Sequence, residues 1–372
     1  MFIINFMEIS TMKYKYKNLV VAYGSNLCGQ DWSAFATRNG IDGECLQFEE
    51  VVTIPGYKLA FNTASRTRNG GVLNITKSTG HIVQAGLFSV NQVGLELLRR
   101  KEGVPFKYFE KNISAIRFDG SEVSAVTYIV PSERCESYVE PHPSYLQICL
   151  DGYESYDIDS ENLMHAANNE AIEPLSALFS YGTLMRDESR FPTISKYGVN
   201  CALMGQIFGR LTTNGAYPAL NLNEEGYAWG DYFVSDDIGS LLLDTDRIEG
   251  FRGFGCEGNL FRRTCVEVDV GGIGQRLSWV YVMDSSLDLD ISQNDWRSYK
   301  SKREPFISHL IERHALGITD FRKQVCDRYY RFGIGKRPSE FSMDEIKNHI
   351  VDGNSLSERH LAQISGLWTA LS

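Results

Sequence analysis

The sequence predicts an α+β fold made of two tandem units, followed by a helical C-terminal segment. A short apolar run that enters a Tyr-Gly turn with a hydroxyl residue behind it occurs twice, at Tyr23-Gly24-Ser25 and at Tyr181-Gly182-Thr183. Each copy is followed by segments with strand-type alternation and then by one short amphipathic helix that stops at a glycine. The recurrence of this order within 372 residues indicates an internal repeat.

Composition excludes several classes of protein. The net charge of -10 argues against non-specific binding to nucleic acid, which requires a basic face. No stretch of about 18 apolar residues is present, so no membrane span is expected. The eight cysteines form no CxxC pair, and they predict reduced thiols in a cytoplasmic protein without a metal site. Residues 1–13 are expected to be a loose extension, and the sequence leaves the oligomeric state open.

Periodicity and turn chemistry place the elements of the first half. Pro55-Gly56 is expected to interrupt one strand with a turn, and Ser78-Thr79-Gly80 is expected to join two further strands. Gly103 and Pro105 follow the last residues of a helical pattern and predict its end. The predicted strands cover residues 19–22, 48–61, 71–75, 82–90, 113–118 and 123–130, and the predicted helices cover 31–38, 91–100 and about 141–165.

The second half repeats this plan after an acidic, polar segment at 168–174, where we place the domain boundary. The predicted strands cover 203–211, 229–234, 262–270 and 277–283, with a helix from 238 into 243–251. Apolar spacing then predicts helices within 306–316, 342–350 and 357–371. The predicted domains are therefore residues 14–168, residues 175–300 and a helical C-terminal extension at 301–372.

Five ordered motifs in the first half carry a resemblance to a known family. They are Tyr23-Gly24-Ser25-Asn26-Leu27, Gly70-Gly71-Val72, Gln84-Ala85-Gly86-Leu87-Phe88, Glu102-Gly103-Val104-Pro105 with Tyr108, and Pro143-Ser144-Tyr145 with Ile148-Cys149. Over residues 18–165 this order is similar to the gamma-glutamylcyclotransferases. The resemblance implies a small mixed β-barrel with flanking helices and a pocket at the barrel mouth.

The second half resembles another branch of the same superfamily, the AIG2-like or gamma-glutamylamine cyclotransferases, over residues 176–300. The motifs are Phe179-Ser180-Tyr181-Gly182-Thr183-Leu184, Tyr217-Pro218-Ala219-Leu220, Asp244 with Glu249-Gly250, Phe261-Arg262-Arg263, and Trp279-Val280-Tyr281-Val282. Many relatives have Tyr-Arg where this chain has Phe261-Arg262, so a hydroxyl is absent there.

The activity implied by the resemblance is release of 5-oxoproline from γ-glutamyl compounds. The substrate's α-amine attacks its own γ-carbonyl, and one carboxylate moves the proton from that amine to the leaving nitrogen. This role predicts Glu102 and Glu249 as the catalytic residues, with no metal and no organic cofactor. The resemblance implies substrate contacts from Tyr23, Gly24, Ser25, Asn26, Leu27, Tyr108 and Tyr145 in the first half, and from Tyr181, Gly182, Thr183, Leu184 and Arg262 in the second.

Other interpretations of these residues stay open. Ser25 and Thr183 are either nucleophiles or, as we favour, hydroxyls that stabilise the turns, because no histidine lies near them in sequence. The run Arg99-Arg100-Lys101 is either an anion site or, as we favour, a solvated helix end. Asp244 is expected to be an exposed or capping residue rather than a second catalytic acid.

A γ-glutamyl compound is therefore the expected partner, with an amino acid or an amine as leaving group. The rival hypothesis is that one or both domains bind such ligands without turnover, because a fold alone does not establish activity. The presence of both glutamates favours the enzyme.

Overall fold

A computed structural model describes residues 18–41, 43–214 and 217–300, and the packing divides the chain between Pro174 and Leu175 into two units. The predicted extension at 1–13 and the predicted helices within 306–316, 342–350 and 357–371 lie outside the described residues. Within the described ranges, no helix has the length and apolar character needed to cross a membrane.

The first unit is a closed five-stranded barrel with the strand order β1-β3-β2-β4-β5. Its strands are β1 (Asn18–Ala22), β2 (Leu46–Ser65), β3 (Gly70–Val90), β4 (Phe109–Ile116) and β5 (Glu122–Ile129). The first strand runs antiparallel to β3 and parallel to β5, where Val20 lies opposite Val126. The parallel pair closes the barrel, and the Tyr-Gly turn leaves β1 at its mouth.

Two predicted interruptions of these strands are wrong. Pro55-Gly56 makes no turn, and residues 78–80 do not separate two strands, because β2 and β3 are each continuous. The ladder shifts register between Pro55 and Tyr57, and Gly56 and Gly80 have φ angles of 74° and 84°. Glycine adopts this left-handed conformation without strain, so the long hairpin bends through a bulge and continues.

Four helices of the described residues surround this barrel: α1 (Gly29–Arg38), α2 (Gln92–Glu102), α3 (Pro143–Ser155) and α4 (Glu161–Ala167). The side chain of Asn91 caps α2 by accepting a hydrogen bond from the Gly94 N–H at 2.9 Å. Gly103 ends the helix in the left-handed conformation, as the sequence predicts. Leu95, Leu97 and Leu98 are buried on the inner face of α2. This packing places Glu102, on the last turn of the helix, beside the barrel.

The second unit contains another closed barrel, with the order β10-β6-β12-β11-β7, and a small sheet ordered β13-β8-β9 that the sequence did not predict. Its elements are β6 (Ala177–Ser180), α5 (Phe191–Ser195), β7 (Val199–Phe208), β8 (Arg210–Thr213), β9 (Pro218–Asn221), β10 (Tyr227–Ser235), α6 (Ile238–Glu249), β11 (Arg262–Val270), β12 (Gly274–Val282), β13 (Leu289–Asp290) and α7 (Trp296–Lys300).

The two barrels have the same cyclic strand order. β6 runs antiparallel to β10 and parallel to β12, with Leu178 opposite Trp279, just as β1 lies between β3 and β5. Helix α6 ends at Gly250 with a φ of 64°, so Glu249 takes the position that Glu102 has in the first unit. Each unit has its own hydrophobic core. The predicted α+β fold with two small barrels is confirmed.

Candidate active sites

The mouth of the first barrel opens into a cleft of about 320 Å³. Among the described residues it is lined by Val21, Ala22, Tyr23, Gly24, Ser25, Asn26, Leu73, Glu102, Tyr108, Thr127, Tyr128 and Tyr145. The fold therefore gathers all but one of the predicted first-half residues into one site. The exception is Leu27, which is fully buried and packs where Gly152 of α3 approaches it.

The turn that follows β1 is a single 3-10 turn, Ser25–Leu27, closed by a 2.9 Å hydrogen bond from the Leu27 N–H to the Gly24 carbonyl. The first N–H groups of such a turn have no acceptor within it, so they are available to an anionic group in the cleft. A Cβ on Gly24 would lie 3.4 Å from the Leu73 side chain and 3.9 Å from the Tyr145 hydroxyl. Glycine thus keeps the space beside these amides open.

Three buried tyrosines in the walls of this cleft form hydrogen bonds to the barrel backbone. Tyr23 donates to the Tyr128 carbonyl at 2.5 Å, and Tyr108 donates to the Leu73 carbonyl at 2.8 Å. The Tyr145 hydroxyl accepts from the Leu73 N–H at 3.3 Å. Burial raises the pKa of all three phenols, so they remain neutral at physiological pH. Their hydroxyl groups fix the cleft walls.

Glu102 occupies the last residue of α2, and its Oε1 atom accepts a hydrogen bond from Asn26 Nδ2 at 2.7 Å. Burial raises the pKa of this carboxyl, while the charge of Lys101, the Asn26 hydrogen bond, and the charges of Lys107 and Arg68 act in the opposite direction. The carboxylate is therefore held in a defined orientation by the same turn that shapes the cleft.

The second barrel has an equivalent cleft of about 570 Å³. In the described part of the chain its lining consists of Phe179, Ser180, Tyr181, Gly182, Thr183, Leu184, Arg190, Tyr217, Pro218, Ile248, Glu249, Leu260, Phe261 and Tyr281. Tyr181 donates to the Tyr281 carbonyl at 2.7 Å, which matches the bond from Tyr23 to Tyr128, and it also accepts from the Leu220 N–H at 3.3 Å.

Residues 178–298 match the family model described as "Gamma-glutamyl cyclotransferase, AIG2-like". The second unit carries an AIG2-like domain. Comparison with curated proteins gives no match.

Similar solved structures include three that cover less than half of this chain. A gamma-glutamyl cyclotransferase is 24% identical over 43% of this chain and 89% of its own, with a TM-score of 0.35. An uncharacterized protein from Homo sapiens is 26% identical over 42% and 89%, with a TM-score of 0.34. YkqA from Bacillus subtilis is 20% identical over 45% and 59%, with a TM-score of 0.36.

The glutamate of the AIG2-like domain has a different environment from Glu102. Leu184 stands where the first turn has Asn26, and the Glu249 carboxylate makes no side-chain hydrogen bond to any described residue. Burial raises the pKa of Glu249 to about 7, and only the charge of Arg190 opposes this shift. A general base acts best when its pKa lies near the working pH, so this value suits proton transfer.

This difference predicts a pH dependence. If Glu249 acts as a general base, turnover at this cleft should fall as the pH drops through about 7, because a base must be ionised to accept a proton. Leu184→Asn supplies the amide that Glu102 already has, which stabilises the carboxylate and should move this acidic limb to lower pH by about one unit. The pH profile of kcat/KM in a Glu102→Gln background measures the shift. An unchanged limb would show that Glu249 is not the titrating base.

Several predicted residues lie away from the clefts. Arg262 does not line the cleft of the AIG2-like domain, and its guanidinium contacts Asp284 at 2.9 Å. Asp244 forms surface ion pairs with Lys196 and Arg247, in keeping with the non-catalytic interpretation.

The solvated helix end expected for Arg99-Arg100-Lys101 is incorrect at Lys101, whose side chain is 7% exposed and contacts Asp31. The Arg99 side chain is 38% exposed and pairs with Glu110. Ser25 and Thr183 line their clefts, but the described histidines, His81, His142 and His165, make their contacts elsewhere. Two of these histidines are hydrogen-bonded to other serines, His81 to Ser78 and His142 to Ser144, and none of the three described histidines pairs with Ser25 or Thr183.

Other cleft residues were not predicted as binding residues. Arg190 and Ile248 line the AIG2-like cleft, and Thr127 lines the first. Ile248 precedes Glu249, so its place beside the glutamate was readable from sequence. Arg190 follows a loop whose path brings its N–H to the Thr183 carbonyl at 2.9 Å, and local sequence carries no signal for that return.

Proposed function

We propose that both units are γ-glutamylcyclotransferases that release 5-oxoproline from γ-glutamyl compounds. One observation carries this proposal: each barrel mouth brings a Tyr-Gly turn and a helix-terminal glutamate of raised pKa into the same cleft. The backbone N–H groups of such a turn suit the charged end of a glutamyl group, and a partly buried carboxylate suits proton transfer.

The reaction then needs only groups that these clefts supply. The ionised glutamate takes a proton from the substrate's α-ammonium, and the resulting amine attacks the γ-carbonyl carbon. A C–N bond closes the five-membered lactam, the γ-amide C–N bond breaks, and the glutamic acid returns the proton to the departing nitrogen. The ring nitrogen loses its second proton to solvent, and the released amine is protonated from solvent. Since the attack is intramolecular, a compact conformer of the glutamyl chain is the main requirement, and the turn and tyrosine walls hold it.

A product assay tests this proposal directly. The full-length protein is incubated with a panel of γ-glutamyl amino acids and γ-glutamyl amines, and both 5-oxoproline and the free amine are quantified. Their yields should be equal. We expect both products to appear together. Binding of these compounds without 5-oxoproline would instead establish the non-catalytic alternative.

The proposed chemistry also predicts the response to chelation. Glutamate alone moves the proton, so exhaustive treatment with a chelator should leave the rate of 5-oxoproline release within about twofold of the untreated protein. The described residues contain no group of three or more His, Cys, Asp or Glu side chains arranged to hold a metal ion. A rate lost to the chelator and restored by a divalent ion would contradict the proposal.

The two clefts should differ in the amine that they release. Tyr108 contributes a hydroxyl to the first cleft, whereas Phe261, Ile248 and Pro218 give the second an apolar wall. One changed apolar contact is worth about 1–3 kcal/mol of discrimination. Glu102→Gln and Glu249→Gln should therefore abolish activity toward different members of the panel. Parallel loss of the same compounds in both variants would show that the clefts share one specificity.

A further inference from the structure

A chain of four polar side chains leads from helix α1 to the base of the first cleft. Asp31 Oδ2 contacts Lys101 Nζ at 2.8 Å, and Lys101 Nζ donates to Asn26 Oδ1 at 2.8 Å. Asn26 Nδ2 in turn donates to Glu102 Oε1 at 2.7 Å. Arg68 binds the same Asp31 through both of its terminal nitrogens.

The chemistry of these groups determines which way each hydrogen bond in this series points. A lysine ammonium can only donate hydrogen bonds, so the amide oxygen of Asn26 must face Lys101. The amide nitrogen of Asn26 then necessarily faces Glu102. Lys101 is held in this position by Asp31, whose carboxylate is 12% exposed and whose pKa is lowered by Arg68 and Lys101 against the effect of burial. Without Lys101 the amide is no longer compelled to face in one direction.

We propose that Asp31 and Lys101 are positioning residues for the first cleft, where they lock the Asn26 amide so that it fixes one oxygen of Glu102 and leaves the other for the substrate's α-ammonium. This inference rests on the proposed cyclotransferase activity. It concerns the first cleft alone, because Leu184 and Ile248 occupy the corresponding positions of the AIG2-like domain and neither can form such a chain.

Charged and titratable groups face Glu102 from several elements. Lys101 on α2, Lys107 in the following loop and Arg68 in the β2–β3 hairpin favour its ionised form, and Lys107 also donates to the Ser65 hydroxyl at 2.8 Å. The phenols that interact with its charge belong to Tyr23, Tyr108, Tyr128 and Tyr145. Of the three cations, Lys101 alone is bonded to the amide that holds Glu102.

The first test is a pH profile of kcat/KM in the full-length chain with Glu249→Gln, so that only the first cleft reports. Lys101→Met and Asp31→Asn should each lower kcat/KM about tenfold near neutral pH and move its acidic limb upward by about one pH unit. Lys101→Arg, which keeps a donor to both neighbours, should restore most of the parent profile. Arg99→Met removes another cation from the same helix and should leave the limb in place.

A second measurement is independent of turnover. Carboxyl-carbon NMR of the ¹³C-glutamate-labelled full chain follows the titration of Glu102, which is assigned by its loss in Glu102→Gln. The titration midpoint should rise in Lys101→Met and in Asp31→Asn but not in Arg99→Met. Equal loss of rate in all three variants with unmoved midpoints would overturn the positioning role. Absence of 5-oxoproline from the parent, with the shifts present, would instead overturn only the proposed activity.

Discussion

Glu102→Gln should reduce 5-oxoproline release from the first cleft by about two orders of magnitude or more, the usual contribution of a general base. The amide keeps the size of the side chain and its contact with Asn26, but it cannot accept the proton of the α-ammonium. Substrate affinity should change little, so the loss should appear in kcat rather than KM. The measurement uses the full-length protein with Glu249→Gln, and the reciprocal pair tests Glu249.

Glu96→Gln provides the matched control for this substitution. Glu96 lies on the same helix, is exposed and accepts a hydrogen bond from Gln92 rather than contacting the cleft. It should retain the parent rate. A Glu102→Gln protein that releases 5-oxoproline as fast as the Glu96→Gln control would eliminate Glu102 as the base.

Arg263→Met should destabilise the second unit by about 3–5 kcal/mol, because it leaves a carboxylate in a largely buried site without its counter-charge. Arg263 is 6% exposed, pairs with both oxygens of Asp246 at 2.9 Å and lies over the rings of Phe251, Phe254 and Trp279. Tyr281 donates a further hydrogen bond to Asp246 at 2.6 Å. Equilibrium unfolding in urea measures the loss as an earlier transition.

Arg99→Met serves as the control for that experiment. The pair of Arg99 with Glu110 occupies the equivalent place in the first unit, but its side chains are 38% and 29% exposed. An exposed pair contributes about 0–1 kcal/mol, so this variant should unfold close to the parent. Similar losses of unfolding free energy in Arg263→Met and Arg99→Met would contradict the conclusion that the first ion pair is buried and the second exposed.

Sequence predicted the parts of the sites that depend on local backbone. The Tyr-Gly turns and the glycines after Glu102 and Glu249 carry their own conformational signal, so both glutamates could be located before the fold was known. The boundaries of α2 and β11 were also close to those observed, because capping and alternation are local properties.

Interactions between distant segments were not predictable in the same way. Lys101 lies in a basic run that looks like a solvated helix end, and only the approach of α1 supplies its partner Asp31. Arg262 and Arg263 are adjacent in sequence, but strand alternation turns one toward Asp284 at the surface and the other into the core. The sequence predicts interruptions in β2 and β3, which are continuous in the structure, because a glycine in a bulge and a glycine in a turn have the same local sequence signal.

The equivalent ion pairs of the two units have opposite polarity. Arg99 and Asp246 each lie three residues before the helix-terminal glutamate, while Glu110 and Arg263 lie opposite Tyr128 and Tyr281 in their barrels. A helix that docked on the wrong barrel during folding would place Arg99 beside Arg263, or Asp246 beside Glu110. Tandem copies of one fold are prone to such exchange, and like charges at the junction raise the free energy of the misassembled product. The reversed polarity therefore disfavours a product in which these two helices have exchanged barrels.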